Sequence, residues 1–306
     1  MKKFAIITVC LNVEHLIGNT ISSILNQANT DFEYLIKDGG SKDATTDIAK
    51  SFIPAFAERG ISYRILSRPD QGIYDAMNQA VREVKGEWVL YMNAGDQLAD
   101  SYVLEMVEQS GCLDSADIVY GDCIDCKDAS YLYRTAHPLE YMRNRSPFCH
   151  QSVFAKKNLY DEAQYPLKYR LCSDYALFFQ WYRENKRFAY LPIAISIYDR
   201  TGLSSNGKAV AQELLYIHED VLPRDEETIH MLRSEVARYD QKPPIFRRLL
   251  SRLIPSSVRA KCWAYKRKAS GWKTEEVFFA EKAANGGRVN KVIEIRKEIQ
   301  QKKDNT

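Results

Sequence analysis

The chain has 306 residues, of which 45% are hydrophobic and 27% charged, and its net charge is +3. That length can bury a full core, as one large domain or one domain with an appendage, and the composition is that of a soluble globular protein, not a disordered or fibrous one. No run of about 18 apolar residues occurs, so no membrane-spanning helix is expected.

Met1-Lys2-Lys3 followed by Phe4-Ala5-Ile6-Ile7-Thr8-Val9 has the superficial form of a signal peptide. The apolar run is too short, and Asn12, Glu14 and His15 interrupt it, so residues 4–9 read as a first strand and the protein as cytoplasmic. Ile17, Ile21, Ile24 and Leu25 then form a helical stripe. Residues 33–37 read as strand, 45–56 as helix with Pro54 a warning near its end, and 61–66 as strand. Ile73, Met77, Val81 and Val84 give a second helical stripe, followed by strand at 87–92, helix at 101–108 and strand at 117–120. Such alternation implies a mainly parallel sheet covered by helices. Ligands then bind beyond the carboxyl ends of the strands. There the sequence places Asn12, Asp38, Arg68 with Asp70, and Asn93 with Asp96, one group after each of four strands.

From about residue 122 to 200 the pattern is irregular and rich in Tyr, Cys and charge. It holds a helix within 165–182, striped by Leu177, Phe178 and Trp181, and a late strand at 191–198; residues 209–221 read as helix. After Pro243-Pro244 the chain turns basic and amphipathic, and 275–303 has a polar helical pattern. The boundaries expected are a domain over 1–220, split into halves at 120, and a helical extension over 221–306.

The small net charge conceals a division. Residues 242–273 carry ten Lys or Arg and no Asp or Glu, which leaves 33 basic against 40 acidic residues elsewhere. Ile245, Phe246, Leu249, Leu250 and Leu253 share one helical face opposite Arg247, Arg248 and Arg252, with Trp263 and Trp272 beyond. That pattern suits a helix lying on an anionic bilayer, or one packed on its own domain. No nucleic-acid-binding motif is found. The seven cysteines form no tidy framework: Cys123 and Cys126 have C-x-x-C spacing without a second pair, so free thiols are expected.

Three segments carry chemistry. Asp38-Gly39-Gly40-Ser41-Lys42-Asp43-Ala44-Thr45 lies between a strand and a helix that Asp43 or Thr45 can cap, and Asp38 can meet the base or ribose of a nucleotide. Arg68-Pro69-Asp70-Gln71-Gly72-Ile73-Tyr74-Asp75-Ala76-Met77-Asn78 opens the second striped helix, where Asp75 fits either a ligand cleft or mere opposition to the helix dipole. Asn93-Ala94-Gly95-Asp96 ends a buried strand in a small acidic turn. A turn of this kind can hold a divalent cation beside a phosphate, because such an ion takes hard oxygen ligands.

In order and spacing these segments resemble the nucleotide-sugar domain of family 2 glycosyltransferases, which have the GT-A fold, and the resemblance covers roughly residues 3–205. It implies an inverting transferase in bacterial surface polysaccharide synthesis, with a nucleotide-sugar donor (UDP-linked by expectation) and a glycan or lipid-linked acceptor at the inner face of the cell membrane. It assigns donor binding to Thr8, Asn12, Asp38, Arg68, Asp70, Gly72, Asp75, Asn78, Asn93 and Asp96, and a Mn²⁺ or Mg²⁺ ion to Asp96. The family's Asp-x-Asp is altered here: Asn93 and Gly95 stand at the two Asp positions, leaving Asp96 alone. Leu171-Cys172-Ser173-Asp174-Tyr175 resembles the segment that supplies the family's base, with Ser173 expected to cap the helix and Asp174 to sit ionised at its positive end. His150 is a candidate acceptor or phosphate contact, and Thr201-Gly202-Leu203-Ser204-Ser205 a candidate lid. Two rivals remain open: a non-catalytic nucleotide-sugar-binding or scaffold protein, and a nucleotidyltransferase. The latter usually has a Gly-rich basic loop after its first strand, and Cys10-Leu11-Asn12-Val13-Glu14 has neither feature.

Overall fold

The computed structural model describes residues 2–202, 206–222, 224–240 and 269–284. Its first half is the expected alternation. Strands β1 (Phe4–Cys10), β2 (Phe32–Asp38), β3 (Ser62–Ser67) and β4 (Trp88–Tyr91) lie in the spatial order β3-β2-β1-β4, all parallel. Helices α1 (Glu14–Leu25), α2 (Thr45–Ser51), α3 (Ile53–Glu58) and α4 (Ile73–Val81) connect them. The single helix expected over 45–56 is two, broken at Phe52. Pro54 stands in the first turn of α3, where its missing amide leaves no bond unmade.

Alternate residues of each strand enter different cores. Phe4 and Ile6, Phe32, Tyr34 and Ile36, and Trp88 and Leu90 pack in one cluster, under α1, α2 and α5 (Val103–Gln109). Ala5, Ile7, Leu35, Val89 and Tyr91 pack in the other, under α4 and α8 (Ser173–Arg183). A strand buried on both faces needs this unbroken apolar run, and each fully buried large side chain contributes about 1.5–3 kcal/mol.

Parallel pairing gives way beyond β4. The short strand β5 (Gln97–Leu98), the four-residue helix α6 (Cys112–Ser115), β6 (Ile118–Lys127), β7 (Ser130–Arg134), β8 (Val153–Lys156), α7 (Lys157–Glu162) and β9 (Phe188–Asp199) build a mixed extension. With β10 (Lys273–Thr274) at its edge, the sheet runs β10-β7-β6-β8-β4-β1-β2-β3, with β8 antiparallel to both β4 and β6, and β9 parallel to β6. The β6–β7 hairpin turns on Asp128 and Ala129, both at positive φ (48° and 53°), the twist that a two-residue hairpin requires. The sequence offered no Asn-Gly or Gly-Gly signal there. The region expected to be irregular is therefore strand, hidden by short segments and atypical turn residues.

Helices α9 (Gly207–Val221) and α10 (Glu226–Asp240) pack together, and Leu214, Ile217 and Leu232 reach the α4–α8 core. After residue 268 the chain lies against the sheet again. Strand β10 (Lys273–Thr274) pairs with β7, and in α11 (Glu275–Ala284) Phe278 stacks on Tyr131 at 4.3 Å while Lys282 donates to the Ala99 carbonyl. Of the basic segment 242–273, all but 269–273 lies outside the described residues, as does the 203–205 part of the candidate lid. Among the described residues no helix is long and apolar enough to cross a membrane, and the six cysteines there are free thiols.

Candidate functional site

Because β1 to β4 are parallel, the loops after them share one edge of the sheet. After β2, the Asp38 carboxylate is fully buried and turned into its own loop. It accepts the amides of Gly40 and Ser41 and the hydroxyls of Ser41 and Ser67. Burial raises its pKa, but the bonds from Ser41, Ser67 and the Gly40 amide outweigh that and hold the carboxyl below its ordinary value. Lys37, fully buried, directs its ammonium at the carbonyls of Asp38 and Arg68 and, at 2.7 Å, at the Asp70 carboxylate. It thus ties the loop after β3 to the loop after β2. A Cβ on Gly39 would lie 2.8 Å from Asp70 Oδ2, so only glycine permits this approach. Asn12, at φ 53°, completes the edge: its amide donates to Ser41 Oγ and its Oδ1 accepts the Lys42 amide.

After β4 the chain turns through Asn93-Ala94-Gly95-Asp96. Gly95 has φ 104°, which disfavours any side chain, and a Cβ there would meet Asp199 Oδ2 at 3.4 Å. Asp96 is only 4% exposed, and its Oδ1 accepts the Asp199 amide at 2.8 Å. Burial pushes the Asp96 carboxyl well above the usual carboxylate range, against hydrogen bonds from the Asp199 amide and the Gln151 side chain. The side-chain oxygen of Asn93 is buried without a hydrogen-bond partner. The Asp199 carboxylate accepts the amide and hydroxyl of Thr201 and stands beside Gly95.

The third group surrounds Asp174, in the first turn of α8. Tyr74, from α4, has its hydroxyl 3.0 Å from Asp174 Oδ1 and 2.9 Å from the Leu171 carbonyl. His150 Nδ1 lies 4.0 Å from Asp174 Oδ2, and its Nε2 is 2.9 Å from the Tyr165 hydroxyl. Burial lowers the His150 pKa, so the ring tends to be neutral, while Asp174 pulls the other way. The Asp174 side chain remains 25% exposed. Ser173 does not cap α8: its hydroxyl donates to the Pro166 carbonyl, and Glu213 of α9 instead accepts the successive amides of Arg170, Leu171 and Cys172. Gln151 bonds Asp96 and the adjacent His150 faces Asp174, so one short turn joins the second and third groups.

The sequence profile of "Glycosyl transferase family 2" matches residues 5–185, more than half of the chain. The chain belongs to glycosyltransferase family 2. This glycosyltransferase is 33% identical over 206 residues to the "PGL/p-HBAD biosynthesis glycosyltransferase" of Mycobacterium tuberculosis, covering 66% of this chain and 79% of that one. Its fold is similar to that of the mannosyltransferase PcManGT from Pyrobaculum calidifontis, solved with GDP-Man and Mn²⁺ (TM-score 0.58, 16% identity, 77% and 69% of the chains). It is also similar to S. aureus TarS 1-349 solved with UDP-GlcNAc (TM-score 0.55, 15% identity, 77% and 71%). At those identities the structures establish the GT-A fold alone. The matches leave no support for the scaffold and nucleotidyltransferase alternatives.

Against this fold, several residues expected in the glycosyltransferase's donor site have other occupations. Thr8 is fully buried inside β1, donating to the Met92 carbonyl with its hydroxyl 2.9 Å from Tyr34, so here its hydroxyl braces the sheet. Asn78 is likewise buried, exchanging two hydrogen bonds with the Tyr165 backbone. Arg68 turns along α4 to Gln79 and Glu83, Asp75 accepts from Gln71 and Gln79, and Gly72 is the N-cap residue of α4, its amide on Asp70. Asp38 and Asp70 are committed to holding their loops. Asp96, expected as a metal ligand, has its carboxylate turned inward here, to Gln151 and the Asp199 amide.

Five participants escaped the sequence reading. Lys37 carried a signal, since a lysine inside a wholly buried strand demands a partner. Tyr74 lies within the 68–78 segment, whose pattern signals a helix start and not a partner for a distant carboxylate. Gln151, Asp199 and Glu213 gave none, because each matters only through contacts distant in sequence. Among the described residues no three His, Cys, Asp or Glu side chains converge as a metal cluster. The orphaned Asn93 oxygen and the Asp199 carboxylate nevertheless fit a hard divalent ion that takes its remaining ligands from phosphate and water.

Proposed function

We propose that this glycosyltransferase moves a sugar, with inversion, from a nucleoside-diphosphate sugar to a glycan or lipid-linked glycan acceptor in surface polysaccharide synthesis. The observation that carries the reading is Asp174. A part-exposed carboxylate at the N-terminus of α8, held by Tyr74 and faced by His150, is joined through Gln151 to the turn after β4. Asp174 takes the proton of the acceptor hydroxyl as its oxygen attacks the anomeric carbon. The nucleoside diphosphate leaves from the opposite face, so the configuration inverts. The loops after β1, β2 and β3 form the donor site through their rigid backbone, with Asn12, Ser41 and Asp70 at its rim. Asn93 and Asp199 would hold a Mn²⁺ or Mg²⁺ ion, and the bound ion would supply Lewis-acid stabilisation of the leaving diphosphate. His150 fits an acceptor or phosphate contact, being within reach of the base.

A UDP-linked donor is supported by the fold shared with TarS, solved with UDP-GlcNAc, and a divalent ion by PcManGT, solved with Mn²⁺. The nucleotide-sugar half is taken to end near residue 120, and the basic segment 242–273 is taken to meet an anionic membrane at the inner face of the cell. The activity test is a nucleotide-sugar panel with Mn²⁺ and a lipid-linked acceptor. The expected result is release of nucleoside diphosphate and an inverted anomeric centre by NMR; release of pyrophosphate, or retention, overturns the reading. For the membrane contact, full-length protein is expected to sediment with anionic liposomes less well as salt rises. Equal sedimentation by a variant with the basic residues of 247–268 neutralised counts against it.

A further inference from the structure

The Tyr74 hydroxyl has one proton and two acceptors in reach, Leu171 O at 2.9 Å and Asp174 Oδ1 at 3.0 Å. Its ring is buried and lies against Tyr165, with centroids 5.5 Å apart, and Tyr165 in turn bonds His150. An apolar residue would fill the same space on this face of α4, where Met77, Ala80 and Val81 pack. A buried hydroxyl is costly unless it is partnered, and these partners belong to the segment that opens α8.

We propose that Tyr74 is the positioning residue of the catalytic base, a hydroxyl that turns between two acceptors as Asp174 gains and loses the acceptor's proton. The inference rests on the reading of Asp174 as that base. Before transfer, Tyr74 donates to the charged Asp174 Oδ1 and fixes the carboxylate orientation. When the acceptor's O–H bond breaks, its proton passes to Asp174 and its electron pair forms the new bond to the anomeric carbon. The Tyr74 O–H then swings to Leu171 O, leaving a lone pair toward Asp174. The tyrosine proton stays on tyrosine throughout, so both states of the base are satisfied by rotation about one C–O bond, with no heavy atom displaced. Burial, reinforced by the Asp174 charge, pushes the Tyr74 phenol well above its ordinary pKa, which keeps it a donor.

The same contact couples two parts of the sequence a hundred residues apart. Tyr74 follows Gly72 and Ile73 at the start of α4, directly after the donor-side loop that Lys37 and Asp70 hold. The base is therefore registered against the donor loop through a single rigid side chain. A substrate hydroxyl and an anomeric carbon need that registration, because small misplacements cost large factors in rate.

The test is Tyr74→Phe, which keeps the ring and its packing, alone and combined with Asp174→Asn. Tyr74→Phe is expected to lower kcat about 10- to 100-fold, the loss of one hydrogen bond to a charged group. Donor KM stays unchanged and the melting temperature falls only modestly, as the loss of one buried hydroxyl requires; a merely structural tyrosine would lower stability without lowering kcat. Combined with Asp174→Asn it costs nothing further, because the two act as a unit. Wild-type kcat in Tyr74→Phe, with Asp174→Asn inactive, overturns the inference and leaves the base reading standing. A rise in donor KM that accounts for the loss overturns it in favour of a donor contact, and multiplying losses in the double variant overturn it in favour of independent roles. Full turnover by Asp174→Asn removes the base, and Tyr74's role with it.

Discussion

The loops on the parallel half of the sheet and the start of α8 use carboxylates in opposite ways. Asp38 is buried and Asp70 largely so, and each spends its charge on the protein: four donors surround one and a buried ammonium meets the other. Asp174 is a quarter exposed and is held by one hydroxyl, with capacity left for a substrate. The difference separates carboxylates that hold loops from one with room for a further bond, the ground on which Asp174 is proposed as the base. A carboxylate saturated by its own backbone shapes a pocket, and one held at a single atom can take a proton. Glu213 has a third use, supplied from another helix. It accepts the successive amides of Arg170, Leu171 and Cys172, the last being the N-cap residue of α8, and so fixes the loop that leads to Asp174.

The sharpest way to break the comparison is Asp174→Asn, which keeps size and removes basicity. It is expected to lower kcat about 10²- to 10⁴-fold while the donor still binds by calorimetry. Collapse of donor affinity instead would put Asp174 on the pocket-shaping side. Next in size, Lys37→Ala strands Asp70 beside an empty buried site. A loss of about 3–5 kcal/mol in urea unfolding is expected. A loss below about 1 kcal/mol would mean that the pair behaves as an exposed one.

Thr8→Val probes whether that residue braces the sheet or meets the donor. Removing its buried hydroxyl leaves Met92 O and Tyr34 short of a partner, for about 1–3 kcal/mol of stability. Donor KM should not move in kinetic assays, and a large rise would restore Thr8 to the donor site. The smallest effect expected is on pH dependence. The Asp38 carboxyl sits below its unfolded value of 3.8. Its contribution is therefore present above that value and lost as pH falls through the folded one. Melting curves from roughly pH 5 to pH 3 should show Asp38→Asn losing stability less steeply than the wild type. Parallel curves would mean that the loop does not depend on the charge.

The sequence by itself determined the first four strands, the helices between them and the edge on which their loops meet. Those strands are buried on both faces, so their apolar runs and the helical stripes between them are local and periodic. Parallel order then follows from the crossover helices. The altered Asn93-Ala94-Gly95-Asp96 turn and the acid at the start of α8 were legible for the same reason, as short motifs in fixed local settings. Which residues face a ligand was decided only by the tertiary structure. Thr8 and Asp174 look equally available in a sequence, yet one hydroxyl is used up within the sheet and the other residue's carboxylate opens to solvent. Tyr74 reaches Asp174 across a hundred residues, Glu213 holds the loop before α8 from another helix, and Asp199 stands in the space beside Gly95. These contacts join segments through packing of the whole fold, and no local pattern encodes a distance between side chains that far apart along the chain.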